Sequence, residues 1–551
     1  MWSLTVLFGY LCLLNELRVK VPITVNRITR LTTLSVPIPV PRPFLAVLGV
    51  ALVVMSLRRS RRLALAAAVT LTAGLSLSTV GLGAAAPLAT LAVATLYIVA
   101  AKEEGAPAAA MASTLVCALC LAATARYLLF FAAPSRPFSD PSWAVAELHL
   151  KVLHSLQLLS AAVYAAIPVI GAWRVARKPS WRWASPPLTH GDMSRGRASM
   201  ILACSMALSA VANLIPYSPT VNPESRPVGV DVSYYASCLS KIVKMGPLGA
   251  FATAASSARA GYLLLAYLIM SVSGAQPETV AKFMPSLLLP AVVASSYFMV
   301  LKAGGSRRLA ALSSLLLATS PLVTAGIYGS FQANMFALAL AYLQLALYFS
   351  VSLRIALPTM LLLSTLCHLA HPWTALQVLA AMGLLAIARR GRREILASAV
   401  MVAGAVLSDC VRSVFALTVP YVTTDIASSY YHSSLSQALN NLLSFPRTIH
   451  FIVAVLYGGF MNYPLLVLAL IGLLLDGDGL SDLLSAWATT AVIMYFSRSG
   501  YVSRPLLSMP LHILMARALI RLEDIHIHAA FSLSLSYYAM CLMDLVPPPC
   551  V

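Results

Sequence analysis

Acidic residues are scarce in this chain, 18 among 551, so each one set among polar neighbours is a candidate for chemistry. Asp231 lies in a polar stretch, 216–235, that begins where an apolar run ends and holds several prolines, Val228-Gly229-Val230 and the pair Tyr234 and Tyr235. A carboxylate there can take a proton from a hydroxyl as a general base. Alternatively it can hold a divalent cation, Mg or Mn, that neutralises a departing phosphate. Gly229 lets the backbone approach a ligand closely, and Tyr234 can stack on a sugar or anchor a membrane interface. The plainer reading is a solvated loop aspartate.

Three further clusters carry polar groups. Gln332 and Asn334 are neutral amides two positions apart at the start of an apolar run. They can hydrogen-bond a polyol but are poor metal ligands beside carboxylates, and a helix N-terminus accounts for them equally. His368, His371 and Trp373 come next. The two histidines are three apart, which on a continuous helix gives one face, and His371 can hydrogen-bond a phosphate. Interfacial anchoring is the alternative. Arg498 and Arg504 flank a late loop and are suited to bidentate phosphate binding. Asp409 and Arg412, at helical spacing in an apolar run, read as an internal ion pair. Asp476, Asp478 and Asp482 begin like a calcium loop but lack its distal glutamate, and read as a solvated loop. Cys117 and Cys120 read as packing, with no metal centre or disulfide framework assigned.

The elements that must position these residues are membrane helices. The chain is 60% hydrophobic and 10% charged, against roughly 25% charged in soluble domains. Apolar runs recur at the length of about 20 residues needed to cross a bilayer. The fold class expected is all-α, a polytopic transmembrane bundle of about 16 spans. The earlier spans fall near 43–57, 63–81, 85–101, 107–130 and 147–173, while the apolar segment 1–17 reads as one that does not cross, because the basic stretch 18–42 would otherwise face outward. The later ones fall near 198–216, 284–301, 309–325, 335–350, 355–370, 373–388, 395–418, 448–475, 483–497, 505–520 and 527–545. The segment 248–273, with Arg259 and several small residues, reads as re-entrant or interfacial.

Net charge is +20, but the basic residues gather in short loops at 58–62, 174–197, 302–308 and 389–393. That is the positive-inside pattern of a multi-pass cell-membrane protein and gives no reason to invoke nucleic acid. With those loops cytoplasmic, the Asp231 loop, 326–334, His371 and 498–504 face outward. Residues 1–173 read as an N-terminal membrane module of about five spans with no assigned role, 174–197 as a basic cytoplasmic linker, and 198–551 as a second membrane module. No soluble domain is expected after the last span.

From about 198 to 525 this order of features resembles the GT-C superfamily, polytopic glycosyltransferases that use polyprenyl-phosphate-linked sugars. The resemblance rests on a span followed by the long Asp231 loop, then Pro285-Ser-Leu-Leu-Leu-Pro290, then Leu301-Lys-Ala-Gly-Gly-Ser-Arg-Arg308 and the run to Pro321. The late Ser503-Arg504-Pro-Leu-Leu-Ser-Met-Pro510 adds to it. It implies that Asp231 is catalytic or metal-binding; in a transferase of this kind Arg504, with Arg498, would hold donor phosphate, Gln332, Asn334 and His371 would orient the sugar, and Tyr234 would stack on it. The implied partners are a polyprenyl-phosphate-linked sugar donor, a glycan or lipid acceptor, and membrane lipids. Two departures qualify it: Gln332 and Asn334 stand where relatives carry a second acidic motif, and the Trp-Trp-Asp motif and soluble C-terminal domain of oligosaccharyltransferases are missing. Asparagine-linked transfer is therefore not expected. A non-catalytic membrane scaffold of this fold, or a transporter or lipid flippase, stands as the alternative.

Overall fold

The computed structural model describes residues 157–177, 192–416 with a few positions omitted, most of 463–495, 508–521, several positions between 527 and 538, and the backbone of a hairpin within 16–37. Arg498, Arg504, Asp476, Asp478, Cys117, Cys120, the expected spans before 147 and the loop 419–447 lie outside the described residues. The hairpin pairs β1 (Glu16–Val25) with β2 (Ile28–Pro37), antiparallel, from Glu16 opposite Pro37 to Val25 opposite Ile28. The other described elements are helices, and five are long and apolar enough to cross a membrane. They support a helical membrane protein.

Helix α1 spans Gln157–Arg177. Helix α2, Arg195–Leu214, starts where the Ser194 side chain accepts from the Arg197 N–H, and stops in a short 3-10 turn at Pro216, which has no N–H to continue it. The Asp231 loop then enters α3, Val232–Lys244, which buries Val232, Tyr235, Leu239 and Ile242 along one face. Helix α4 is Gly246–Ala255 and α5 is Ala260–Ser273. The segment 248–273 is thus two helices, the second closed by Gly274 in the left-handed conformation. Neither is long enough to cross alone.

Helix α6, Pro277–Lys302, is the longest described, about 39 Å at the standard rise, and contains Pro285 and Pro290. Helices α7 (Arg307–Ala318) and α8 (Pro321–Tyr328) replace the single span expected over 309–325. Pro321 has no N–H for the Leu317 carbonyl and favours extended backbone before it, so the run breaks there. Next come α9 (Gln332–Ser350), α10 (Leu353–Ala370), α11 (Pro372–Arg389) and α12 (Arg392–Ala416). The last described helices are α13 (Tyr463–Leu474), α14 (Gly479–Tyr495) and α15 (Leu511–Leu519).

Hydrogen bonds fix which helix ends lie together. The start of α9 meets the start of α6, because Gln332 Nε2 donates to the Ala281 carbonyl at 2.8 Å. The two helices pack side by side, so their C-terminal ends point the same way. At that far end Arg389 pairs with Asp482 at 2.5 Å and with Glu394 at 3.5 Å, and Tyr348 Oη donates to Glu394 at 2.9 Å. Arg174 reaches the Leu475 carbonyl and Ser481 Oγ there. Asp482, read from sequence as a loop acid, is instead in the first turn of α14 and holds an arginine. Asp192 pairs with Arg307 at 3.6 Å beyond the end of α6. Among the described residues, the basic loops 302–308 and 389–393 and the edges of 174–197 therefore gather at one end of the bundle and the Asp231 loop lies at the other. Helix α5 has both ends at the Asp231 end: Tyr262 bonds Gln332, and the turn 274–276 leads straight into α6.

Candidate functional site

The loop before Asp231 is held at both edges. Tyr217 Oη accepts from the Val228 N–H at 2.9 Å and faces the Val228 carbonyl at 3.3 Å. The Asn222 side chain accepts from the Arg226 N–H at 2.9 Å and donates to the Arg226 carbonyl at 2.8 Å. Lys282, on α6, is ion-paired to Glu278 at 2.7 Å and donates to the Ser225 carbonyl. Gly229 has φ 115°, in the region that disfavours a side chain. Together these contacts fix the path of the chain into α3 and deliver the Asp231 carboxylate to the start of that helix.

Asp231 occupies the N-cap position of α3 but makes no capping bond with its side chain. Its Oδ2 faces Arg259 NH1 at 3.4 Å, and Oδ1 has no hydrogen-bond partner among the described residues. The carboxylate side chain is 25% exposed. Arg259 stands at the N-cap of α5, donates through NH1 to Tyr235 Oη at 2.8 Å, and lies 5.6 Å from the Tyr234 ring centroid and 5.2 Å from that of Tyr235. These are cation–π distances. Burial works against the Arg259 charge, but Tyr235, Asp231 and Tyr234 outweigh it and raise its pKa above the ordinary value. Tyr234, half exposed, is the outer wall of this group.

Gln332 lies deeper and is fully buried. Tyr262 Oη donates to its amide oxygen, and its nitrogen donates to the Ala281 carbonyl. That carbonyl is four residues before Pro285, which has no N–H to give it, so Gln332 supplies the missing donor. Tyr262 also meets the Tyr235 ring edge-on at 4.7 Å. A continuous path thus runs from Asp231 through Arg259, Tyr235 and Tyr262 to Gln332. The geometry gives Gln332 a positioning role in place of the sugar contact expected of it.

Asn334 and His371 form a second, separate group. Asn334 Nδ2 donates to Thr374 Oγ1 at 2.7 Å and to Ser508 Oγ at 3.4 Å. Thr374 Oγ1 lies 2.7 Å from His371 Nδ1, and the Thr374 N–H donates to the same nitrogen at 3.2 Å. Two donors on Nδ1 assign the ring proton to Nε2 in the neutral imidazole. His371 is extended, φ −156° and ψ 97°, and caps α11, while His368 is inside α10 and bonds the Ser364 carbonyl. The expected shared face is lost because the helix breaks between them. The break and Pro372 leave the His368 and Leu369 carbonyls without helical donors, and Arg412 reaches both, at 3.2 and 3.3 Å, as well as the Ser257 carbonyl at 2.7 Å.

Sequence does not single out Tyr262 or Thr374, and it marks Arg259 only as a reason to read 248–273 as re-entrant or interfacial, not as a site residue. Arg259 did carry a signal: it is the one charged residue in 248–273 and lies on the side away from the basic loops. Among the described residues no three His, Cys, Asp or Glu side chains gather as a metal site. The surroundings of Asp231 do not fit Mg or Mn, because a guanidinium already faces Oδ2. Comparison of the chain with protein-family models and with curated proteins finds no match.

Proposed function

We propose that this chain is an integral-membrane glycosyltransferase of GT-C type, moving a hexose from a polyprenyl-phosphate donor to a lipid-linked or cell-surface acceptor at the outer face of the cell membrane. The observation that carries the reading is the partly exposed Asp231 carboxylate, with Oδ1 uncommitted among the described residues, at the end of the bundle opposite the described basic loops 302–308 and 389–393. With those loops cytoplasmic, Asp231 stands at outer headgroup level, where a sugar phosphate on a lipid carrier presents itself. Oδ1 takes the acceptor hydroxyl proton, the acceptor oxygen bonds the anomeric carbon, and the bond from that carbon to the phosphate oxygen breaks, releasing polyprenyl phosphate. Tyr234 gives the sugar a face to stack on.

The test is transfer of radiolabelled sugar from polyprenyl-phosphate donors in membranes. Asp231→Asn is expected to lower transfer at least about 100-fold at unchanged expression. Transfer that survives the substitution places the active site elsewhere. A second reading, a non-catalytic scaffold, draws on the same ion pair, since Asp231 and Arg259 also join α3 to α5. Failure of every donor with the wild type selects it.

A further inference from the structure

The guanidinium of Arg259 is held but not used up. NH1 serves both Tyr235 Oη at 2.8 Å and Asp231 Oδ2 at 3.4 Å. Nε and NH2 have no acceptor among the described residues, and the side chain is partly exposed. Neither atom is among the fully buried unpaired ones, so this edge is reachable from solvent and open to a ligand. The planar Nε–NH2 edge matches two oxygens of a phosphate in the fork arrangement characteristic of arginine. The two tyrosine rings restrict the side chain beforehand, so less freedom is lost when an anion binds. The contact with Asp231, in turn, is long for a charge-assisted hydrogen bond.

We infer that Arg259 is an oxyanion subsite that takes a phosphate group on its Nε–NH2 edge in competition with Asp231. Assigning that phosphate to a sugar donor rests on the proposed function; the anion site itself does not. Phosphate capture shares the guanidinium with a second anion and leaves Asp231 less tightly held as the acceptor arrives. A substrate phosphate would thereby ready the base.

The full chain, purified in detergent, is titrated by calorimetry with farnesyl phosphate and, separately, with inorganic phosphate. Wild type is expected to bind at least one saturably. Arg259→Gln is expected to weaken that binding about tenfold or more, and Arg259→Lys by less, because the charge stays while the fork is lost. Because Arg259→Gln also loosens α3 from α5, Asp231→Asn supplies the second arm: it leaves the arginine, removes its competitor, and is expected to tighten binding several-fold. Preference for farnesyl phosphate supports the site and identifies a lipid-linked phosphate; equal binding of inorganic phosphate supports the site and identifies the free anion. No saturable binding, unchanged affinity in a folded Arg259→Gln, or no tightening in Asp231→Asn overturns the inference. Anion binding with this pattern but without sugar transfer retains the subsite and rejects the transferase. Transfer without it does the reverse.

Discussion

His371 can be separated into a capping nitrogen and an imidazole. Its Nδ1 accepts the Thr374 N–H at the start of α11, a duty that an asparagine side chain also performs. His371→Asn is expected to keep stability within about 0.5 kcal/mol, whereas His371→Ala loses about 1 kcal/mol, measured by denaturant unfolding in detergent. If the imidazole contributes to transfer, His371→Asn separates the two roles by lowering turnover while leaving stability intact. Asp231 and Arg259 behave differently, since neither is consumed by capping: Asp231 makes no capping bond, and the Arg259 guanidinium turns to two tyrosines and a carboxylate.

Proline governs the element scale. Pro285 and Pro372 each remove an N–H from a helix in an apolar interior, and the carbonyls left over are met by Gln332 and Arg412. Gln332→Leu leaves the Ala281 carbonyl and the Tyr262 hydroxyl without partners, at a cost of about 1–3 kcal/mol for each group. Pro285→Ala returns a backbone N–H to Ala281. The double variant Gln332→Leu, Pro285→Ala is therefore expected to lose less than the two single losses added together, by about 1–3 kcal/mol in a thermodynamic cycle. Strict additivity would mean that Gln332 is not serving that carbonyl. Close approach matters as well. A side chain on Gly261 would stand 2.9 Å from the Ala370 backbone nitrogen, so the start of α5 sits directly against the end of α10.

Among the described residues the arrangement has two ends, one bearing Asp231, Arg259, Gln332 and His371, the other bearing Arg174 and, with their acids, Arg307 and Arg389. If the positive-inside trend sets the orientation, a cysteine at Arg226 in a cysteine-free background reacts with a membrane-impermeant thiol reagent on intact cells. A cysteine at Ser306 is expected to react only after permeabilisation. The reverse pattern would turn the Asp231 site toward the cytoplasm and remove the outer-face donor from the proposed function.

Much of this was legible in the chain itself. Apolar runs of bilayer length predict helices that the structure places at 277–302, 332–350, 372–389 and 392–416, because hydrocarbon permits little else for a spanning backbone. The break at Pro321 has a local cause but was absorbed into one hydrophobic run. Asp231 was marked by its isolation. Its partner was not, because Arg259 lies 28 positions away and nothing local in either segment specifies their meeting. Gln332 had the composition of a ligand-binding amide, yet the carbonyl it satisfies belongs to a helix 51 positions earlier. Residue type and periodicity set which groups need partners and which runs enter the membrane. Only tertiary packing decided which of those needs are met inside the protein, because the partners, Arg259 for Asp231 and the Ala281 carbonyl for Gln332, come from segments far apart in sequence.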